Sequence, residues 1–175
     1  MKTFQVILLV LMIVAFLYVS IFLYVFSHAN DFKRSIKSKS DSLSILLLEK
    51  VNSLSKIDAY FKNSGIVYSE NQDLIMNELS SISLVDVDYN VLFHCINIIK
   101  KAESALSLLC FDHPLIAEKK EFGLEKVRLE DLDRNFRAGM ALYNADVNAY
   151  NYWLSIPGYR LVLAILGFKK KKTLS

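Results

Sequence analysis

The chain has 175 residues, 53% hydrophobic and 22% charged, with a formal net charge of +3. Five Gly and two Pro in that length favour long helices over many short strands. Lys2 and the run Lys169 to Lys172 hold the excess positive charge, so the chain between them sums to about −2; this is not the clustered basic face of a nucleic-acid-binding domain.

From Phe4 to Phe26 the only polar side chains are Gln5 and Ser20, with Tyr18 and Tyr24 amphipathic. About 23 residues at helical rise cover roughly 35 Å, enough to cross a hydrocarbon core of about 30 Å. The run exceeds the apolar stretch of a cleavable signal peptide, about 7–15 residues. Residues 1–27 are therefore expected to form a single transmembrane anchor. Lys33, Arg34, Lys37 and Lys39 follow it, against Lys2 on the other flank. That bias places the remainder on the cytoplasmic side of the cell (inner) membrane; the exported side is the alternative. Residues 28–42, basic and Ser-rich, read as a juxtamembrane linker that continues the helix.

A domain of helices is expected over 43–168. Leu43, Leu47, Val51, Leu54, Ile57 and Phe61 recur every three or four residues, and Asn63-Ser64-Gly65 is a helix stop. A second segment keeps the same period from Ile75 through Leu79, Ile82, Val85, Tyr89, Leu92, Ile96 and Ile99 to Leu109. It reads as one long helix, with a break near Leu84 to Asp88 as the competing reading. Cys95 and Cys110 on this helix would stand about 22 Å apart, too far for a disulfide. Phe111-Asp112-His113-Pro114 is a turn, with Pro114 suited to open the next helix.

In the third segment Phe122, Leu129, Phe136, Tyr143 and Tyr150 lie one heptad apart, with Met140, Val147 and Leu154 in phase. On a helical wheel these eight side chains span about 80°, a packing seam. Asn144, Asn148 and Asn151 border it; in the Tyr-Asn repeat Asn144 and Asn151 are placed to bond across the seam and fix register, with a groove for a peptide or lipid as the alternative reading. Ala138, Ala141, Ala145 and Ala149 form a stripe nearly opposite, a candidate surface for a partner or for self-association. Ile156-Pro157-Gly158 ends the helix. The apolar run 161–168 is too short to span a bilayer; it reads as a last core helix, with a dip into the membrane interface as the alternative. Residues 169–175 form a basic tail.

His113-Pro114-Leu115-Ile116-Ala117, Phe122, the repeated Tyr143-Asn144 and Tyr150-Asn151, Val147, Pro157 and Gly167-Phe168 resemble the LemA family of bacterial membrane-anchored proteins. Where that family has a basic pair before the first Tyr-Asn, this chain has Gly139 to Leu142, with Arg134 and Arg137 further back. The resemblance implies an all-α protein: a single N-terminal transmembrane helix followed by an antiparallel bundle of about four helices. It implies envelope partners and no established activity, and its motif residues Tyr143, Asn144, Tyr150, Asn151 and Pro157 read as structural.

Catalytic groupings are weak throughout. His94-Cys95 and Cys110 with His113 have metal-ligand residue types, but along a helix they do not converge. Asp86 with Asp88, and Glu130, Asp131 and Asp133, read as surface ion-pairing acids beside Lys126, Arg128, Arg134 and Arg137. No phosphate-binding glycine loop, nucleophile elbow or zinc-protease motif is present. No enzyme, cofactor, metal or nucleic acid is expected. The expected partners are the lipid bilayer, an envelope or membrane protein, and a second copy of the chain.

Overall fold

A computed structural model describes residues 2–83 and 88–174, with side chains from Phe4 onward. The described residues are helical or irregular, without strands. Among the described residues six helices follow one another: α1 (Lys2–Asn63), α2 (Glu70–Ser80), α3 (Tyr89–Asp112), α4 (Pro114–Ala117), α5 (Lys120–Trp153) and α6 (Pro157–Ile165). The chain divides into two compact units. The first joins Met1–Lys37 to Asn144–Thr173; the second holds Ser38–Tyr143 with Leu174–Ser175.

No Gly or Pro occurs before Gly65, so nothing interrupts α1 across its 62 residues. Gly65 stops it by taking φ +78°, and the Ile66 amide donates back to the Phe61 carbonyl at 3.4 Å. Residues 28–42 are helical within α1, and Ala29, Ile36 and Ser40 are buried there.

In the second unit the α1 stripe from Leu43 to Phe61 is buried at all six expected positions. It packs with apolar faces of α3 (Leu92, Ile96, Ile99, Leu106, Leu109) and α5 (Phe122, Leu132, Phe136, Tyr143). Each fully buried side chain of this size stabilises by about 1.5–3 kcal/mol. Phe61 meets Phe122 edge to face, ring centroids 5.7 Å apart. Gly139 permits a close approach of α5 to α1: a Cβ there would lie 3.0 Å from Leu43 Cδ2.

The continuous second helix read from the sequence is instead two helices. α2 opens on a capping box, the Ser69 hydroxyl accepting from the Gln72 amide while the Gln72 side chain accepts from the Ser69 amide. It ends at Ser80. The Asp88 carboxylate then caps α3, accepting the Val91 amide at 2.9 Å. A new N-cap starts a new helix because it satisfies first-turn donors that a continuous helix would pair internally. The alternating stretch Val85-Asp86-Val87 lies outside the described residues. α2 packs on α3, burying Met76 and Leu79.

In the first unit, Phe4 to Tyr24 is exposed apart from the half-buried Phe22. One helix here is long and apolar enough to cross a membrane. From Val25 onward the helix is covered: Val25 and Ala29 are buried, as are Val147, Tyr150, Leu154 and Leu163. Trp153 fills the aromatic centre of this unit, 4.7 Å from the His28 ring and stacked on Tyr159 at 5.3 Å. Pro157 opens α6, and Gly167, at φ +78°, closes it with the Phe168 amide donating to the Leu163 carbonyl at 2.9 Å.

Candidate functional site

The heptad seam is where the sequence places it. Phe122, Phe136, Tyr143, Val147, Tyr150 and Leu154 are buried, and Leu129 and Met140 half-buried. Burial pushes the Tyr143 and Tyr150 phenols above the ordinary tyrosine range. On the same helix Ala138, Ala141 and Ala145 are exposed and Ala149 half-buried.

The structure shows the partners of one asparagine of the border. Asn148 is exposed. Asn151 pairs with the backbone of the basic tail instead of bonding across the seam: its Nδ2 donates to the Lys171 carbonyl at 2.8 Å, and its Oδ1 accepts the Lys171 amide at 2.9 Å. A side-chain amide satisfying one residue's donor and acceptor holds the tail as a neighbouring strand would.

The acids separate into three environments. Asp88 is a cap, and Asp86 lies outside the described residues. Asp131 makes a surface ion pair with Arg134, as expected of that group. Asp133, however, reaches a lysine that the sequence reading left aside. Lys50 is only 5% exposed, and its ammonium lies 2.5 Å from Asp133 Oδ1 and 2.6 Å from Glu103 Oε1. The contact to Glu103 is an ion pair without hydrogen-bond alignment. The Phe136 ring stands 5.8 Å from the same ammonium. The three charges come from α1, α3 and α5 and line a cavity of about 160 Å³ with Ile96, Ile99 and Met140. The signal was available: Lys50 sits three residues after Leu47 and four before Leu54, in phase with the buried stripe. Its partners lie in other helices, and nothing in the sequence shows the match.

A second polar contact lies further along α1. Ser53, 1% exposed, donates to Glu125 Oε2 at 3.1 Å, and the Lys56 ammonium donates to Oε1 at 2.9 Å. The Lys56 hydrogen bond holds the Glu125 carboxyl below the ordinary range. The Tyr68 hydroxyl donates to the Asp58 carbonyl at 3.2 Å, and burial, with Asp58 adjacent, pushes that phenol far above its ordinary range.

Cys95 is buried and Cys110 half-buried; both are free thiols, raised above the ordinary range mainly by burial. Such thiols are poor nucleophiles. Among the described residues no three His, Cys, Asp or Glu side chains stand together as a metal site. A further cavity of about 230 Å³ lies between Leu54, Ile57, Leu106, Cys110, Phe122 and Leu129. It is largely apolar, with Glu103 and Lys126 among its lining.

The basic tail makes the other charged cluster. Phe168 stands edge-on to Phe26 with centroids 6.1 Å apart, and the Lys33 ammonium lies 5.9 Å from the Phe168 ring. Lys33, Lys169, Lys170 and Lys171 line a cleft of about 270 Å³ with Tyr150, and among the described residues no carboxylate lines it. Burial, with Lys33 as the second cause, lowers the Lys171 ammonium below the ordinary lysine range. Set against known proteins, the chain matches no family model, no curated protein and no solved structure.

Proposed function

We propose that this chain is a membrane-tethered, non-enzymatic scaffold or adaptor of the bacterial cell envelope, built like the LemA family as a bundle of about four antiparallel helices on a single-pass anchor. The observation that carries the reading is the contrast within α1: apolar side chains exposed from Phe4 to Tyr24, and a buried stripe from Leu43 to Phe61. One helix thus supplies a segment suited to lipid and a segment suited to a protein core. The charged groups of the second unit support a structural role, since Lys50, Lys56 and their acids are matched to each other. The exposed alanines of α5 (Ala138, Ala141, Ala145) are the proposed partner surface, because small side chains permit close approach of another helix.

The basic flank from Lys33 to Lys39 supports a bundle in the cytoplasm at the inner membrane, by the positive-inside bias. Cys95 and Cys110 are too covered to report this, so the test uses Ser80→Cys, an exposed position at the end of α2. An impermeant maleimide should label it only after the membrane is opened; labelling on intact cells with a permeabilised outer layer overturns the cytoplasmic placement. For the adaptor role, a photo-crosslinking residue at Ala141 should capture one membrane protein reproducibly, and Ala145→Glu should abolish that capture with helicity unchanged. Recovery of self-adducts alone would count against an adaptor.

A further inference from the structure

α6 lies along the apolar run of α1. Tyr18, Ile21, Phe22 and Val25 of α1 and Gly158, Tyr159 and Val162 of α6 line one narrow cleft. All four α1 residues belong to the stretch Phe4 to Phe26, so whatever medium surrounds that stretch at this level also meets α6. The outer side of α6 suits the same medium: Leu161 is 74% exposed and Ile165 85%, and Leu163 alone of its residues is buried. This differs from the core helix that the sequence favours.

After Gly167 the chain turns back, and Phe168 and Asn151 hold the tail beside Lys33. Lys33 lies about seven residues past Phe26, or roughly 10 Å of helix. Headgroups occupy roughly 5–8 Å outside the hydrocarbon on each side, within reach of flexible lysine side chains. The cleft of Lys33, Lys169, Lys170 and Lys171 therefore stands at headgroup depth, concentrates positive charge with no carboxylate among the described residues that line it, and adjoins an apolar helix already seated on the anchor.

We propose that this cleft binds the phosphate of an anionic phospholipid, with α6 embedded beside the anchor as a second membrane contact. The proposal rests on the reading of α1 as a membrane anchor. Depth, charge and continuity with the apolar run favour a lipid over nucleic acid, because a duplex would have to approach lysines flanked by the exposed apolar face of α6.

The full-length protein is reconstituted into vesicles of phosphatidylcholine with or without phosphatidylglycerol, and Ile165→Cys carries an environment-sensitive fluorophore. Flotation tests the anchor: protein that fails to float overturns the anchor reading and this inference with it. If it floats, quenching of the fluorophore by acyl-chain-brominated lipid is expected, and the absence of quenching overturns the membrane contact of α6 while leaving the anchor intact. Native mass spectrometry from mixed micelles should show preferential retention of phosphatidylglycerol. Each of Lys33→Gln and Lys171→Gln should lower that preference about fivefold, and Lys33→Arg should restore it. Equal retention of both lipids, displacement of the lipid by soluble glycerol phosphate, or oligonucleotide binding lost in the same glutamine variants would each overturn the lipid assignment.

Discussion

Lys50 and Lys33 lie on the same helix, yet their surroundings are opposite. Lys50 is buried and meets two carboxylates from two other helices. Lys33 is exposed, lies over the Phe168 ring, and shares its cleft with three lysines. A buried charge persists only with its compensation built into the fold, so Lys50 is a structural group that joins helices. Among the described residues no carboxylate lines the cleft of Lys33, so the positive charge there is left open to a partner. The comparison separates charge used to assemble the protein from charge available for recognition.

Removing one member of the matched cluster should have the largest effect. Lys50→Met takes from Glu103 and Asp133 the ammonium that they share. With both acids about one-third exposed, a loss near the low end for a broken buried pair, about 3 kcal/mol, is expected. Denaturant unfolding of the detergent-solubilised protein measures it. Lys33→Gln, the same kind of charge loss in the other cluster, should change stability by less than about 0.5 kcal/mol. Equal losses at the two positions would remove the distinction drawn between them.

The second unit's dependence on close packing is sharpened at Gly139. An added Cβ already meets Leu43 Cδ2 at 3.0 Å, so the branched side chain in Gly139→Ile should overpack the contact and cost about 2 kcal/mol. Thermal melting with helicity as readout checks this, and an unchanged midpoint would show that α1 yields there.

In the first unit a local effect is expected. Asn151→Ala removes both hydrogen bonds to Lys171, at about 1 kcal/mol each. Trypsin should then cut within Lys169 to Lys172 several-fold faster, with the unfolding of the second unit unaltered. Proteolysis at the native rate would mean that contacts other than those of Asn151 retain the tail.

The smallest effect concerns pH. The Glu125 carboxyl is held below its ordinary range by the Lys56 hydrogen bond. Its folded pKa therefore lies below the unfolded value of about 4.3, and its contribution is present above that value. It fades as pH falls through the depressed folded pKa. Lys56 is half-exposed, which limits the contribution to about 1 kcal/mol or less. Glu125→Gln should flatten the stability profile below pH 4.3 by that amount, measured by urea midpoints across the acid range.

Much of the fold was legible because it is written in one-dimensional periods. An apolar run of bilayer length, a stripe from Leu43 to Phe61 and a heptad series from Phe122 to Tyr150 each report which side of a helix avoids water. The division between α2 and α3 was less legible, because hydrophobic register continues across it while Asp88 supplies a local cap that the register does not encode. The tail was less legible still: Asn151 pairs with a backbone that returns from twenty residues further on.

The sequence by itself determined that this is a helical protein with an N-terminal helix able to cross a membrane, since hydrophobicity and its period are properties of neighbouring residues. Only the tertiary structure decided that Lys50 is matched by Glu103 and Asp133, that α6 lies along the apolar run of α1, and that Lys33 joins the C-terminal lysines. Each of these joins residues distant in the chain. Coulomb energy depends on separation and dielectric in space, and neither is fixed until the helices have packed.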